Sequence, residues 1–201
     1  SKAGQLKYAQ VPPGNLAYPL NWVLTYSLSK AVGSYDVMVD AQGALHVAYI
    51  QVAQDDETPP GIYYVQSPSG GGYWIESRLL YQSEYYRSAT QNDLYVRVSA
   101  SDSPVNQKVF VTWDNRAQKR VYMAASKDSG LTWENVQELM NAADSGSVNT
   151  PFNMTVSSLE QNVLLIWQVG EPGSSRCTVY SQWSEDGGLN WGDAVAVFGG
   201  R

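Results

Sequence analysis

The chain has 201 residues, of which 43% are hydrophobic and 16% charged, and a formal net charge of −6. This composition excludes a disordered polymer and allows a substantial core. An acidic balance without a Lys/Arg cluster excludes nucleic acid as a partner. No apolar run approaches the roughly 20 residues that span a bilayer, the longest clean one being Val163–Trp167.

Residues 1–32 differ from the rest of the chain. "VPPGN" reads as a turn or linker. "NWVLTYSLSK" reads as the outer strand of a preceding unit, because Trp22 stands where later tryptophans precede a strand. From residue 33 the chain repeats. Each unit opens on a short strand: "YDVMVD", "LYVRVSA" and "FNMTVSS". A second strand ends in an aromatic residue: Tyr49, Trp113 and Trp167. A third carries a β-branched residue followed by tyrosine: Ile62–Tyr63, Val121–Tyr122 and Val179–Tyr180. Four residues beyond each tyrosine a polar, glycine-rich stretch begins: "SPSGGGYW", "SKDSGLTW" and "SEDGGLNW". The opening serines, Ser67, Ser126 and Ser184, lie 59 and 58 residues apart. A fourth strand begins after each closing tryptophan, and no segment has sustained helical periodicity.

Four short strands per unit at this period is the pattern of a β-propeller blade. The expected fold is therefore all-β, a propeller segment of about three four-stranded antiparallel blades at residues 33–82, 90–141 and 150–199. The eight-residue stretch is the hairpin turn between third and fourth strands. There the aspartate accepts backbone N–H groups, the hydroxyls satisfy others, glycine supplies positive φ, and tryptophan opens the next strand.

These residues resemble the Asp box, Ser-x-Asp-x-Gly-x-Thr-Trp, of sialidases and other bacterial-neuraminidase-repeat proteins. The match is full at Ser126, Asp128, Gly130, Thr132 and Trp133. It is nearly full at Ser184, Asp186, Gly188 and Trp191, where Asn190 replaces threonine. It is partial at Ser67, Gly71 and Trp74, where Ser69 replaces aspartate. The resemblance implies a structural role for the box, away from any active site. One carboxylate per blade, spread around a ring, suits neither acid/base catalysis nor a calcium site.

The resemblance also makes sialidase chemistry the sharp alternative: an arginine clamp on a carboxylate, a tyrosine nucleophile with a glutamate, and an aspartate acid/base. None of the arginines at 78, 87, 97, 116, 120, 176 and 201 is followed by Ile-Pro, the hallmark of that family. Functional faces of propellers are built from the loops joining fourth to first and second to third strands. The candidate site residues on or near those loops are Glu84, Tyr86, Arg87, Asp114, Arg116 and Arg176, with Arg97 interrupting an inner strand. The loop "QDDETPPG" adds Asp55, Asp56 and Glu57, and "GEPGSSR" adds Glu171. His46, the sole histidine, is expected to be packed in mid-strand, and the lone Cys177 excludes an internal disulfide and a cysteine-based zinc site. Asn153–Thr155 fits a glycosylation acceptor, discounted because it falls in an inner strand. No metal or cofactor is expected.

Three blades do not close a circle. The missing partner is expected to be the remaining blades of a larger protein, with a second copy of the chain as the alternative and a cap by residues 1–32 as the third. The expected function is a non-catalytic, secreted or extracytoplasmic module binding carbohydrate or protein; the alternative is part of a sialidase-type glycoside hydrolase. The first residues carry no signal-peptide pattern, which leaves the compartment open.

Overall fold

The computed structural model describes residues 4–52, 58–90, 93–101, 107–141, 151–170 and 177–199. The chain folds as three antiparallel sheets, the blades of a partial β-propeller. Blade 1 contains β2 (Val23–Val39), β3 (Leu45–Gln51), β4 (Gly61–Ser67) and β5 (Arg78–Gln82). Its sheet gains a fifth strand, β1 (Gly4–Gln10), which pairs with the first half of the long β2. Blade 2 is β6 (Val96–Ala100), β7 (Val109–Asn115), β8 (Arg120–Ser126) and β9 (Gln137–Asn141). Blade 3 is β10 (Pro151–Leu159), β11 (Asn162–Gly170), β12 (Cys177–Ser184) and β13 (Val195–Gly199). The one α-helix among the described residues, α1 (Tyr85–Ser88), is a single turn linking blades 1 and 2.

Burial along the strands reports the stacking. A strand covered on both faces is apolar throughout, whereas a strand covered on one face alternates. β4 and β7 are buried at every residue. In β11 Val163, Leu165 and Trp167 are buried, and Leu164 and Ile166 between them are not. Blade 3 therefore packs on blade 2 with one face and leaves the other uncovered. Ile50, Ile62 and Tyr64 of blade 1 meet Val96, Val111 and Trp113 of blade 2 in one core. Phe110, Val121 and Met123 of blade 2 meet Met154, Val163, Leu165 and Trp167 of blade 3 in the next. The inner strands add polar links: the Val98 amide donates to Asp36 Oδ2 at 3.0 Å and the Ala100 amide to Met38 Sδ at 2.8 Å.

The repeated turn holds itself together and then clamps its neighbour. In all three copies the serine hydroxyl accepts the glycine amide at 2.8 Å (Gly71, Gly130 and Gly188). Asp128 accepts both the backbone amide and the hydroxyl of Thr132, and Asp186 accepts the backbone amide and side-chain amide of Asn190. Asn190 thus performs the threonine's task with a different donor. In the first copy Ser69 Oγ accepts the Tyr73 amide at 3.0 Å, standing in for the missing carboxylate. Burial alone would raise the Asp128 carboxyl, but the bonds from Thr132 and Ser126 outweigh it and hold the group below its usual range. At Asp186 the amides of Asn190 act first and bring the carboxyl down to about 2.

The glycines do more than permit positive φ. A methyl added to Gly130 would overlap the Tyr64 hydroxyl, and one added to Gly71 the Tyr8 hydroxyl. One added to Gly188 would press on Met123 Cε at 3.0 Å. Tyr8, Tyr64 and Met123 occupy the same place in successive third strands, each in the blade or ribbon before the turn it touches. The tryptophans follow suit. Trp74 meets Tyr8 edge-on at 5.1 Å and 66°, and Trp133 meets Tyr64 edge-on at 4.7 Å and 65°; Trp191 packs into the core that holds Met123. Trp133 also donates its indole N–H to its own Gly130 carbonyl at 3.1 Å.

His46 lies behind the Tyr64 contact, buried as the sequence predicts. Its Nε2 is 2.9 Å from Asp40 Oδ2 and its Nδ1 2.6 Å from Tyr64 Oη. Asp40 Oδ1 also accepts the amides of Gln42 and Ala44, closing the β2–β3 turn. One imidazole nitrogen thus faces the Asp40 carboxylate and the other the Tyr64 hydroxyl, which itself donates to Gln66 Oε1 at 3.2 Å.

The ribbon β1–β2 repeats the register of the blades' outer pairs. Tyr64 pairs with Arg78, Met123 with Gln137 and Ser181 with Val195, each partner lying four residues beyond its tryptophan. Tyr8 pairs with Tyr26, four residues beyond Trp22. A register shift then follows one pair further along in all four cases. Leu6, Leu28 and Trp74 cover Val47, Tyr49, Tyr63 and Val65 of blade 1. Tyr35, Val37 and Val39 of its inner strand remain exposed.

Two glycine substitutions separate strain from overlap. Gly43 (φ +82°) has open space around its Cα, whereas Gly130 (φ +88°) abuts Tyr64. Gly43→Ala is expected to cost about 1–2 kcal/mol from left-handed backbone alone. Gly130→Ala is expected to cost about 1–3 kcal/mol more from overpacking. Urea titration of both variants measures the difference.

Candidate functional site

Antiparallel order places the repeated turns at one end of the blades. The loops joining fourth to first and second to third strands lie at the other. There the structure gathers Tyr85 and Tyr86 of α1, Asp93, Tyr95, and Asp114 and Arg116 at the end of β7. Arg116 joins the two carboxylates: its Nη1 is 3.0 Å from Asp93 Oδ1 and its Nε 3.3 Å from Asp114 Oδ2.

Asp114 is the centre of this cluster. It is 1% exposed, and its Oδ1 has no hydrogen-bond partner. Burial pushes its carboxyl up to about 7 against the opposing pull of the Arg116 guanidinium. Three tyrosines feel its field, Tyr86 among them, raised mainly by its own burial. Tyr85 is raised to about 12 by burial and by Asp114 and Asp93. Tyr95 is raised by burial, with Arg97 pulling the other way and Asp36 and Asp114 adding to the rise.

The predicted site residues fall into three groups. Asp114 and Arg116 come together, and Tyr86 backs them, its hydroxyl donating to the Asp114 carbonyl at 3.3 Å. Tyr86 is fully buried, so it supports the cluster and cannot touch a ligand. Glu84 and Arg87 stand apart, paired with each other at 2.9 Å on the surface of α1. Arg97 lies on the inner strand, its guanidinium 4.1 Å from the centre of the Tyr95 ring and 3.0 Å from the Val96 carbonyl. Arg176, with Asp55, Asp56, Glu57 and Glu171, lies outside the described residues.

Sequence reasoning missed Asp93, Tyr95 and Asp36. Tyr95 was findable, because two residues before Arg97 on a strand is the same face. Asp93 ends the polar loop that opens with Glu84. Nothing local marks Asp36, whose importance arises from the facing strand β6. Among the described residues no group of three or more His, Cys, Asp or Glu is placed to hold a metal ion. No helix among them is long and apolar enough to cross a membrane.

No family model and no curated protein matches the chain. Solved structures do. The α-L-arabinanase of Penicillium chrysogenum in complex with arabinobiose aligns with a TM-score of 0.59 at 12% identity, over 98% of this chain and 55% of that one. The Aleuria aurantia lectin in complex with α-methyl-L-fucoside aligns at 0.56 and 15%, over 98% and 53%. The α-L-arabinofuranosidase of Fusarium graminearum with an iminosugar inhibitor aligns at 0.55 and 13%, over 97% and 53%. At these identities the likeness shows the fold, a β-propeller, and the chain spans about half the length of each matched structure.

The raised Asp114 carboxyl carries a sign for stability. A carboxyl that is harder to ionise folded than unfolded takes up a proton on folding between its unfolded value near 4 and its folded value of about 7. Stability from this group is therefore full below pH 4 and lost as pH rises towards 7. Asp114→Asn removes that dependence. Wild-type stability minus variant stability should fall between pH 4 and 7 and level off above, measured by chemical denaturation at several pH values.

Proposed function

We propose that this chain is a non-catalytic Asp-box propeller module, part of a larger extracytoplasmic assembly, that recognises carbohydrate at the loop end of its inner strands. The observation that carries this reading is the Arg97–Tyr95 pair. A guanidinium held over an aromatic ring beside the propeller axis offers both a stacking surface and donors to sugar hydroxyls. Arg116 extends the donor set. The carbohydrate class is favoured by two of the matched propellers, which hold arabinobiose and α-methyl-L-fucoside.

The non-catalytic part rests on how the carboxylates are engaged. Glycoside hydrolysis uses two carboxyl groups flanking one scissile bond. Here Asp93 and Asp114 are held by Arg116, Glu84 by Arg87, and Asp36 by the Val98 amide. One observation favours the alternative, part of a sialidase-type glycoside hydrolase. The Asp114 carboxyl, pushed up to about 7 by burial, has the range of a general acid, and a substrate reaches it only if the loops around it open.

Calorimetric titration against arabinobiose, α-methyl-L-fucoside and sialyllactose tests the proposal. One of them should bind, and Arg97→Ala should weaken that binding at least about tenfold, the loss of one charge-assisted contact of ~1.4 kcal/mol or more. Fluorogenic aryl glycosides of the same three sugars should show no turnover. Turnover abolished by Asp114→Asn would replace the binding reading with the hydrolase.

A further inference from the structure

Three times in this chain a third-strand side chain seats the turn of the following blade: Tyr8 under Gly71, Tyr64 under Gly130, and Met123 under Gly188. The fourth position of the series is Ser181, and the blade-3 face around it lies open. Trp183 and Phe198 on the same sheet are 44% and 62% exposed. The ribbon β1–β2 has the reverse deficiency. It has the strand register and bulge of an outer blade pair, and its connecting turn, residues 11–22, has no seat among the described residues. That turn shows solvent Leu16, Tyr18, Leu20 and Trp22, with Leu20 99% and Trp22 47% exposed.

The two departures match. A tyrosine at the seat demands glycine in the turn, because any Cβ would overlap its hydroxyl, and a methionine leaves only a tight fit. Serine at position 181 removes that demand, and the turn at 11–22 is the one that lacks the Ser-x-x-x-Gly pattern. It is also longer: Trp22 stands fourteen residues after Tyr8, whereas Trp74 stands ten after Tyr64.

We propose that a second copy of the chain completes the ring, with the 11–22 turn of each copy lying on the blade-3 face of the other. The contact joins different surfaces on the two molecules, and twofold rotation repeats it and closes the circle. Two copies together supply six four-stranded blades. Six full blades fall within the range of closed propellers. The ribbon's shape suits the joint. Blades diverge away from the axis, so near the axis the partner's Leu164 and Ile166 meet Tyr35, Val37 and Val39 directly, while at the rim the two-stranded ribbon fills the wider gap. The ring also encloses the Arg97–Tyr95 pair, which a three-blade arc leaves open on one side.

Sedimentation velocity over a concentration series decides this. Wild type should sediment at twice the 22.1 kDa chain mass. Trp22→Asp and Trp183→Asp alter exposed side chains and should each weaken the dimer at least about tenfold (~1.4 kcal/mol) without lowering the melting temperature of the monomer. Mixing the two variants should restore dimer above the level of either alone, because the mixed pair keeps one unaltered joint. A wild-type monomer at the highest soluble concentration, a species larger than a dimer, or a dimer insensitive to both substitutions overturns the proposal.

Discussion

The fold depends on one contact repeated around the arc: the turn of one blade resting on a third-strand side chain of the blade before. Among the described residues, neighbouring blades share no strand pairing, so the strands alone do not set the angle between them. The turn does, because its glycine backbone lies flush against Tyr8, Tyr64 or Met123 and its tryptophan closes over the side of the same residue. Everything on the turn serves this placement. The aspartate and serine hold the loop rigid, and glycine brings the backbone within reach of the seat. At the first joint between full blades, Asp40 and His46 brace Tyr64 from behind.

Much of this was legible in the sequence, for physical reasons. The turn needs a short acceptor, a hydroxyl and a flexible residue at fixed offsets, so the repeat is visible as text. The strands between are short and β-branched or aromatic, so their number per unit could be read. The inter-blade role of the motif was not legible. Glycine at position 130 looks alike whether it serves positive φ or close approach, and only the Tyr64 ring distinguishes the two. Trp22 hinted at the ribbon, but the ribbon's identity rests on strand pairing, which no local pattern encodes.

The site was less legible than the fold. Asp114 and Arg116 stand out on a loop because they are charged next to an apolar strand. Their partners Asp93 and Tyr95 lie some twenty residues away and become neighbours only when blade 2 forms. Tyr86 stands out as an aromatic ring in a polar loop, yet α1 turns that ring inward under Asp114. A one-turn helix in so short a stretch gives no periodicity from which to predict this. Burial sets the electrostatics here: Asp114 is forced towards the neutral form while Asp186, exposed and bonded by amides, is held ionised.

The most direct test of the central contact is a double-mutant cycle on Tyr64 and Trp133, with each replaced by leucine singly and together and stability measured by urea denaturation. Edge-on aromatic pairs in contact couple by about 0.5–1.5 kcal/mol, and a coupling of that size is expected here between residues 69 positions apart on different blades. Additive effects, with no coupling beyond error, would contradict the account that the turn locks one blade to the next.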